Sequence, residues 1–168
     1  EFRRVLFRSC QIANDNGGGQ IVISGEMVAI DEVIKIAPDL GVKRAIKLPV
    51  SAPFHSSLME PAAKIMEEAL AKVTINKPSV PVIANVTASV VEDPVQIRAL
   101  LVKQVSGMVR WRQSIEQLKQ YGVEQVVECG CGKVLSGLVK RIEPEFTTVS
   151  LQEPKDIEEF LKTITLLI

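Results

Sequence analysis

An α/β fold with a largely parallel sheet is what this sequence predicts, and three observations carry the prediction. Short apolar runs of strand character alternate with amphipathic helical segments along nearly the whole chain. Glycine and proline sit mostly at the joints between those segments. Of the 168 residues, 46% are hydrophobic and 24% charged, which is apolar enough for a packed core and too weakly charged for a disordered chain. Aromatic residues make up only 4%, so Val, Ile, Leu and Ala must build that core.

Gln20-Ile21-Val22-Ile23-Ser24 reads as a buried strand, bounded by Gly17-Gly18-Gly19 and Gly25. Ile30, Val33, Ile34 and Ala37 recur at helical spacing, and Pro38 and Gly41 close that helix. Arg44-Ala45-Ile46-Lys47-Leu48 alternates as a strand would, with Ile46 and Leu48 on one face. Pro49 and Pro53 then stiffen an irregular loop that runs to Ser56. The helix expected next, from about Leu58 to Val73, carries an apolar stripe of Ala62, Ile65, Met66, Ala69, Leu70 and Val73.

Val80 to Val86 is a strand candidate. Asp93-Pro94 is a helix start, an N-cap residue followed by proline in the first turn, and that helix extends to about Val105 before Gly107. Ile115 and Leu118 mark another helix, stopped by Tyr121-Gly122. Gln125 to Glu128 forms a short strand, Gly130-Cys131-Gly132 a tight turn, and Val134 to Ile142 a helix. Thr147 to Leu151 is a strand and Ile157 to Leu167 a closing helix. The change of character at Pro49 is the one subdomain boundary the pattern suggests.

Composition excludes several classes of function. Lysine plus arginine balances aspartate plus glutamate at 20 each, which argues against bulk electrostatic binding of nucleic acid. No apolar run approaches the ~20 residues that span a bilayer, so no membrane association is expected. Three cysteines, Cys10, Cys129 and Cys131, are too few for a disulfide framework, and a reducing, cytoplasmic compartment is the default. Residues 1–9 are basic and differ in composition from the rest of the chain. They are too short in apolar character for a signal peptide and are expected to be a non-native scar.

His55 is the only histidine. A lone histidine is more often structural than catalytic, but this one lies in a proline-stiffened loop between a strand and a helix, where functional side chains are commonly displayed. Cys129 and Cys131 with His55 make a poor zinc set, because no fourth ligand accompanies them, and no metal is expected. Gly130-Cys131-Gly132 lacks the length and the Lys-Ser/Thr pair of a phosphate loop.

Several blocks of the sequence resemble malonyl-CoA:acyl-carrier-protein transacylases. The longest runs Leu48-Pro49-Val50-Ser51-Ala52-Pro53-Phe54-His55-Ser56-Ser57-Leu58-Met59-Glu60-Pro61-Ala62 and is similar to the histidine loop of that family. Asn14-Asp15-Asn16 followed by Gly19-Gln20-Ile21-Val22-Ile23-Ser24-Gly25 fits it too. So do Gln104, Val109-Arg110-Trp111 and Ser114-Ile115-Glu116, and the late segment Glu128-Cys129-Gly130-Cys131-Gly132-Lys133-Val134-Leu135-Ser136-Gly137-Leu138. The blocks occur in family order and cover nearly everything after Cys10. The family usually has proline where this chain has Cys131.

The resemblance implies a partial α/β-hydrolase-like acyltransferase core with the remainder of a small ferredoxin-like subdomain, the latter at 10–48 and the C-terminal part of the acyltransferase domain at 49–168. It implies transfer of a malonyl group from coenzyme A to the phosphopantetheine thiol of acyl carrier protein, in fatty-acid biosynthesis, through a serine ester. His55 would be the general base, and the backbone carbonyl of Gln104 would orient it. Phe54 would restrict room beside the acyl α-carbon and favour malonyl over methylmalonyl units. Asn14 and Asn16 would line the cleft, although asparagine is equally at home in a turn. No cofactor is implied beyond the phosphopantetheine that the partner carries, and the family is usually monomeric. Lys133, Lys140 and Arg141 give the late helix a basic side that would suit an acidic carrier protein, or simply a solvated face.

The family's nucleophile is a serine in a G-x-S-x-G turn, and no such pentapeptide occurs in these 168 residues. The chain is therefore expected to be a C-terminal fragment that is inactive alone. Two alternatives stand beside this: an acyltransferase domain fragment of a polyketide or fatty-acid synthase, and a non-catalytic carrier-protein-binding module in which His55 is structural.

Overall fold

The computed structural model describes residues 10–165, so residues 1–9 and the expected end of the last helix at Leu167 lie outside the described residues. The fold is α/β. It divides into two compact units, one up to Ser114 and one from Ile115 onward, which is a different place from the change of sequence character at Pro49.

The first unit begins with β1 (Cys10–Asp15) antiparallel to β2 (Ile21–Gly25), in a register from Cys10 opposite Gly25 to Asp15 opposite Ile21. The turn between them places Gly17, Gly18 and Gly19 at φ of 72°, 57° and 79°, a left-handed run that side chains would resist. Helix α1 (Met27–Ile36) packs on this hairpin through Ala29 and Val33, which share a core with Cys10, Ile23 and Ile30. Burial pushes the Cys10 thiol pKa up. A short 3₁₀ turn over Pro38–Leu40 follows α1, and Gly41 closes it at φ 77°.

Residues 44–48 are not a strand. The segment is exposed and irregular, with Ile46 at 62% and Leu48 at 50% exposure. Alternation supplies a strand's side-chain pattern, but a strand also needs a neighbour to accept its backbone bonds, and among the described residues none pairs with it.

After the proline loop a 3₁₀ turn (Ser57–Met59) leads into α2 (Glu60–Leu70), which packs against α3 (Pro94–Ser106). The stripe expected to be buried on α2 is largely open, with Ile65 69% and Met66 41% exposed, and Ala63 is the buried residue. Arg98 of α3 donates to the carbonyls of Leu70 and Val73, satisfying acceptors at the end of α2. The start of α3 is as expected: the Asp93 carboxylate accepts from the Gln96 amide at 3.1 Å, with Pro94 in the first turn.

Between these helices lies a small antiparallel hairpin, β3 (Val82–Ala84) and β4 (Ser89–Val91), with Ala88 at φ 52° in its turn. Val109 bridges in parallel to Asn14, its amide donating to Ala13 at 2.8 Å and its carbonyl accepting from Asp15 at 3.0 Å. Arg110 donates from its amide to Asn85 and from Nε to Val86. The segment after α3 is thereby stitched to β1 on one side and to the β3–β4 turn on the other. Helix α4 (Trp111–Gln120) comes next and stops before Gly122, at φ 73°.

In the second unit β5 (Gln125–Cys129) and β6 (Thr147–Leu151) are parallel, with α5 (Val134–Ile142) between them in sequence and α6 (Pro154–Thr165) after. Leu138 and Val139 form the buried face of α5. Glu128, at the end of β5, accepts from the Leu135 and Ser136 amides and from Ser136 Oγ, which satisfies donors in the first turn of α5. The Ser136 hydroxyl bond, with help from the two amides, holds the Glu128 carboxyl below the usual glutamate range. Asp156, in the first turn of α6, reaches back to accept from the Gln152 and Glu153 amides just before the helix, and these bonds hold its carboxyl low.

Among the described residues, parallel pairing occurs at β5–β6 and at the single Asn14–Val109 bridge, and the other two strand pairs are antiparallel. The reason is connection length. Residues 16–20 and 85–88 are tight turns, which can only join antiparallel neighbours, whereas a parallel pair needs a crossover such as α5. No helix among the described residues is long and apolar enough to cross a membrane.

Candidate functional site

His55 sits at the end of the loop that Pro49 and Pro53 stiffen, and its backbone is left-handed, at φ 57°. That conformation costs an L-residue roughly 1–2 kcal/mol, so the surroundings must hold it. Ser56, 1% exposed, donates from Oγ to the Pro53 carbonyl at 2.7 Å and accepts at its own carbonyl from the Met59 amide at 2.9 Å. These bonds close the loop on itself and turn it into the 3₁₀ entry to α2.

The ring is held from the other helix. His55 Nδ1 lies 3.0 Å from the backbone carbonyl oxygen of Gln104. Gln104 is in the last turn of α3, where carbonyls have no partner within the helix and are available to outside donors. A carbonyl can only accept, so the neutral imidazole must carry its proton on Nδ1, and Nε2 keeps its lone pair. This is the arrangement of a general base: one nitrogen tethered, the other ready to take a proton.

The acceptor is itself fixed. The Gln104 side chain donates to the Gly107 carbonyl at 2.9 Å. A Cβ at Gly107 would lie 2.6 Å from the Lys103 carbonyl oxygen and 2.6 Å from Val86 Cγ2, so the backbone turns away from α3 where no side chain fits. Ser106 Oγ donates to Glu60 at 2.7 Å, tying the end of α3 to the start of α2.

Two residues before Ala13, Gln11 of β1 also reaches the loop. Its Oε1 accepts from the Ser57 amide at 3.0 Å, and its Nε2 lies 3.4 Å from the His55 carbonyl. Sequence reading passes over this residue, since a glutamine within a polar strand more than forty positions away carries no local signal.

The other candidates are spread over both units. Phe54 is next to the histidine and 48% exposed, its amide donating back to Ala52. Asn14 is half-buried on β1, opposite Val22 and bridged to Val109. Asn16 opens the glycine turn, its amide donating to the Gln20 carbonyl. Asp15 between them accepts from Arg112 at 2.9–3.0 Å and from the Gly17 amide at 3.2 Å, which anchors that end of β1. Of the basic residues on α5, Lys140 donates to the Pro144 and Phe146 carbonyls and Arg141 to that of Gly137, so both cations serve the local fold. Among the described residues no group of three His, Cys, Asp or Glu side chains could hold a metal ion.

No protein-family model matches the chain. It is 43% identical over 154 residues to a malonyl CoA-acyl carrier protein transacylase of Bacillus subtilis, a match over 92% of this chain and 49% of the relative. It also superimposes on a crystal structure of an acyl-carrier-protein S-malonyltransferase from Bartonella henselae with a TM-score of 0.88 and 50% identity, over 93% of this chain and 50% of that one. A malonyl-transacylase solved in complex with its type II PKS acyl-carrier protein matches with a TM-score of 0.90 and 32% identity, over 96% of this chain and 53% of that one. The chain spans about half the length of the curated relatives it matches.

Proposed function

We propose, from the premise that this chain is a relative of the malonyl CoA-acyl carrier protein transacylases spanning about half their length, that it supplies the general base for malonyl transfer from coenzyme A to acyl carrier protein. The reading gives residues 10–48 to a small ferredoxin-like subdomain and 49–168 to the acyltransferase domain. The observation that carries it is the contact of His55 Nδ1 with the Gln104 carbonyl at 3.0 Å, which leaves Nε2 free as a proton acceptor.

In the proposed cycle Nε2 takes the proton of a serine hydroxyl as that oxygen attacks the malonyl thioester carbonyl. The tetrahedral intermediate collapses, the C–S bond breaks, and the imidazolium protonates the leaving CoA thiolate. The phosphopantetheine thiol then gives its proton to Nε2 and attacks the serine ester. The serine oxygen leaves and takes the proton back. Phe54 would crowd the acyl α-carbon, and Asn14 and Asn16 would bond the acyl group or the pantetheine arm. The reading needs no cofactor bound to this chain and no metal. Its setting is the cytoplasm and its partner an acyl carrier protein, supported by the relative solved with one.

The test joins this chain to a serine-bearing first half from a relative and measures malonyl transfer from coenzyme A to carrier protein. His55→Ala should lower the rate roughly 10²–10⁴-fold, the usual contribution of a positioned base. As the control in the same assay, the 168-residue chain alone should form no malonyl ester. Full activity of His55→Ala would sink the reading. Carrier binding that is retained without any transfer would favour a binding module instead.

A further inference from the structure

We infer that Gln11 is a positioning residue for His55, acting through the loop backbone rather than by touching the ring. The inference rests on the reading of His55 as a base.

Gln11 bonds the loop on both sides of Ser56. The Ser57 amide is a donor and nothing else, so the Gln11 oxygen must face it at 3.0 Å. That orientation turns the amide nitrogen toward the His55 carbonyl at 3.4 Å, a longer and weaker bond. The two contacts bracket the peptide units after His55, the residue whose left-handed φ of 57° aims the ring. They reach it from β1, which is itself fixed by the Cys10–Asp15 register with β2 and by the paired bonds of Ala13 and Asp15 to Val109. The ring therefore has two supports. Gln104 holds the Nδ1 end, and Gln11 holds the backbone from which the ring projects. Without the second, the loop can relax out of the left-handed region, and a relaxed loop carries Nδ1 away from its acceptor.

Because the chain has a single histidine, one imidazole signal set reports this directly. In the 168-residue chain labelled with ¹⁵N-histidine, the deprotonated form of the ring, observed at alkaline pH, should be dominated by the Nδ1–H tautomer. An unrestrained histidine in water prefers Nε2–H. Gln11→Ala should lower the Nδ1–H to Nε2–H ratio about fivefold, the scale of one net hydrogen bond, with exchange of the remote Arg110 amide, which donates to the Asn85 carbonyl, unchanged. Gln11→Glu keeps the acceptor for Ser57 and removes the donor to His55, and should shift the ratio in the same direction by less. An unchanged tautomer ratio in Gln11→Ala would overturn the inference. Loss of the fold in both variants would overturn it too, since Gln11 would then be a structural residue. If the ratio shifts while His55→Ala stays active in malonyl transfer, the positioning stands and the catalytic reading of His55 fails.

Discussion

In the turn at residues 129–133 the left-handed backbone falls on glycines, Gly130 at φ 141° and Gly132 at φ 93°, whereas in the loop before α2 it falls on His55 at φ 57°. Both segments deliver the chain into a helix. The glycine turn is held over shorter separations: Glu128 reaches the first turn of α5, and the Gly132 amide donates to Gln152, 20 positions on, at 2.9 Å. The histidine loop is held from far away, by Gln104 of α3 and Gln11 of β1. A structural turn can relax onto residues that tolerate the conformation. The histidine loop keeps a side chain in the left-handed region, and distant elements hold it there.

Gly107 is where this contrast breaks most easily. Alanine there would place a methyl 2.6 Å from the Lys103 carbonyl oxygen and from Val86 Cγ2. The backbone that receives the Gln104 side chain would have to move. Gly107→Ala should cost about 1–3 kcal/mol and lower the urea midpoint. A loss below about 0.5 kcal/mol, the ordinary surface range, would mean that the close approach yields freely.

A sharper test swaps the chemistry of the two turns. Gly132→Ala forces a Cβ into the left-handed region and should destabilise by roughly 1–2 kcal/mol, although open space surrounds the site. His55→Gly should be more stable than His55→Ala by about 1 kcal/mol, since both lose the ring and only alanine keeps the strain. Equal stability of the two His55 variants would show that the loop carries no strain.

The smallest effect belongs to the glycine turn's own support. Glu128→Gln weakens the cap on α5 and should cost about 1 kcal/mol near neutral pH. The Glu128 carboxyl is held below its usual range in the folded chain. Its contribution is therefore complete above the unfolded glutamate pKa and is lost as pH falls through the lowered folded value. The gap in thermal stability between the two proteins should close on acidification. A gap that is constant with pH would assign the effect to packing rather than charge.

Elements with local chemistry were legible from sequence. Asp93-Pro94 marks the start of α3, Gly122 the stop after α4, and Gly130-Cys131-Gly132 the turn into α5, because caps and left-handed residues act within a few positions. Strand pairing was not. β1 has a polar sequence, and its place depends on β2 and Val109; residues 44–48 have strand alternation and no partner among the described residues. The site divides the same way. His55 and Phe54 stand out in their loop, and Gln104 is visible only through a resemblance. Gln11 became a candidate only once the fold brought β1 to the loop.

The two turns also differ in the length of chain that their contacts close. Glu128 meets Ser136 across a separation of 8 residues, while His55 meets Gln104 across 49. By the logarithmic cost of loop closure, the longer contact forfeits about 1.6 kcal/mol more chain entropy before it forms. The turn into α5 can close early and on its own. The bond of the imidazole to Gln104 requires α2 and α3 to be in place, so the Nδ1 proton reports long-range order, whereas the Glu128–Ser136 bond reports local order.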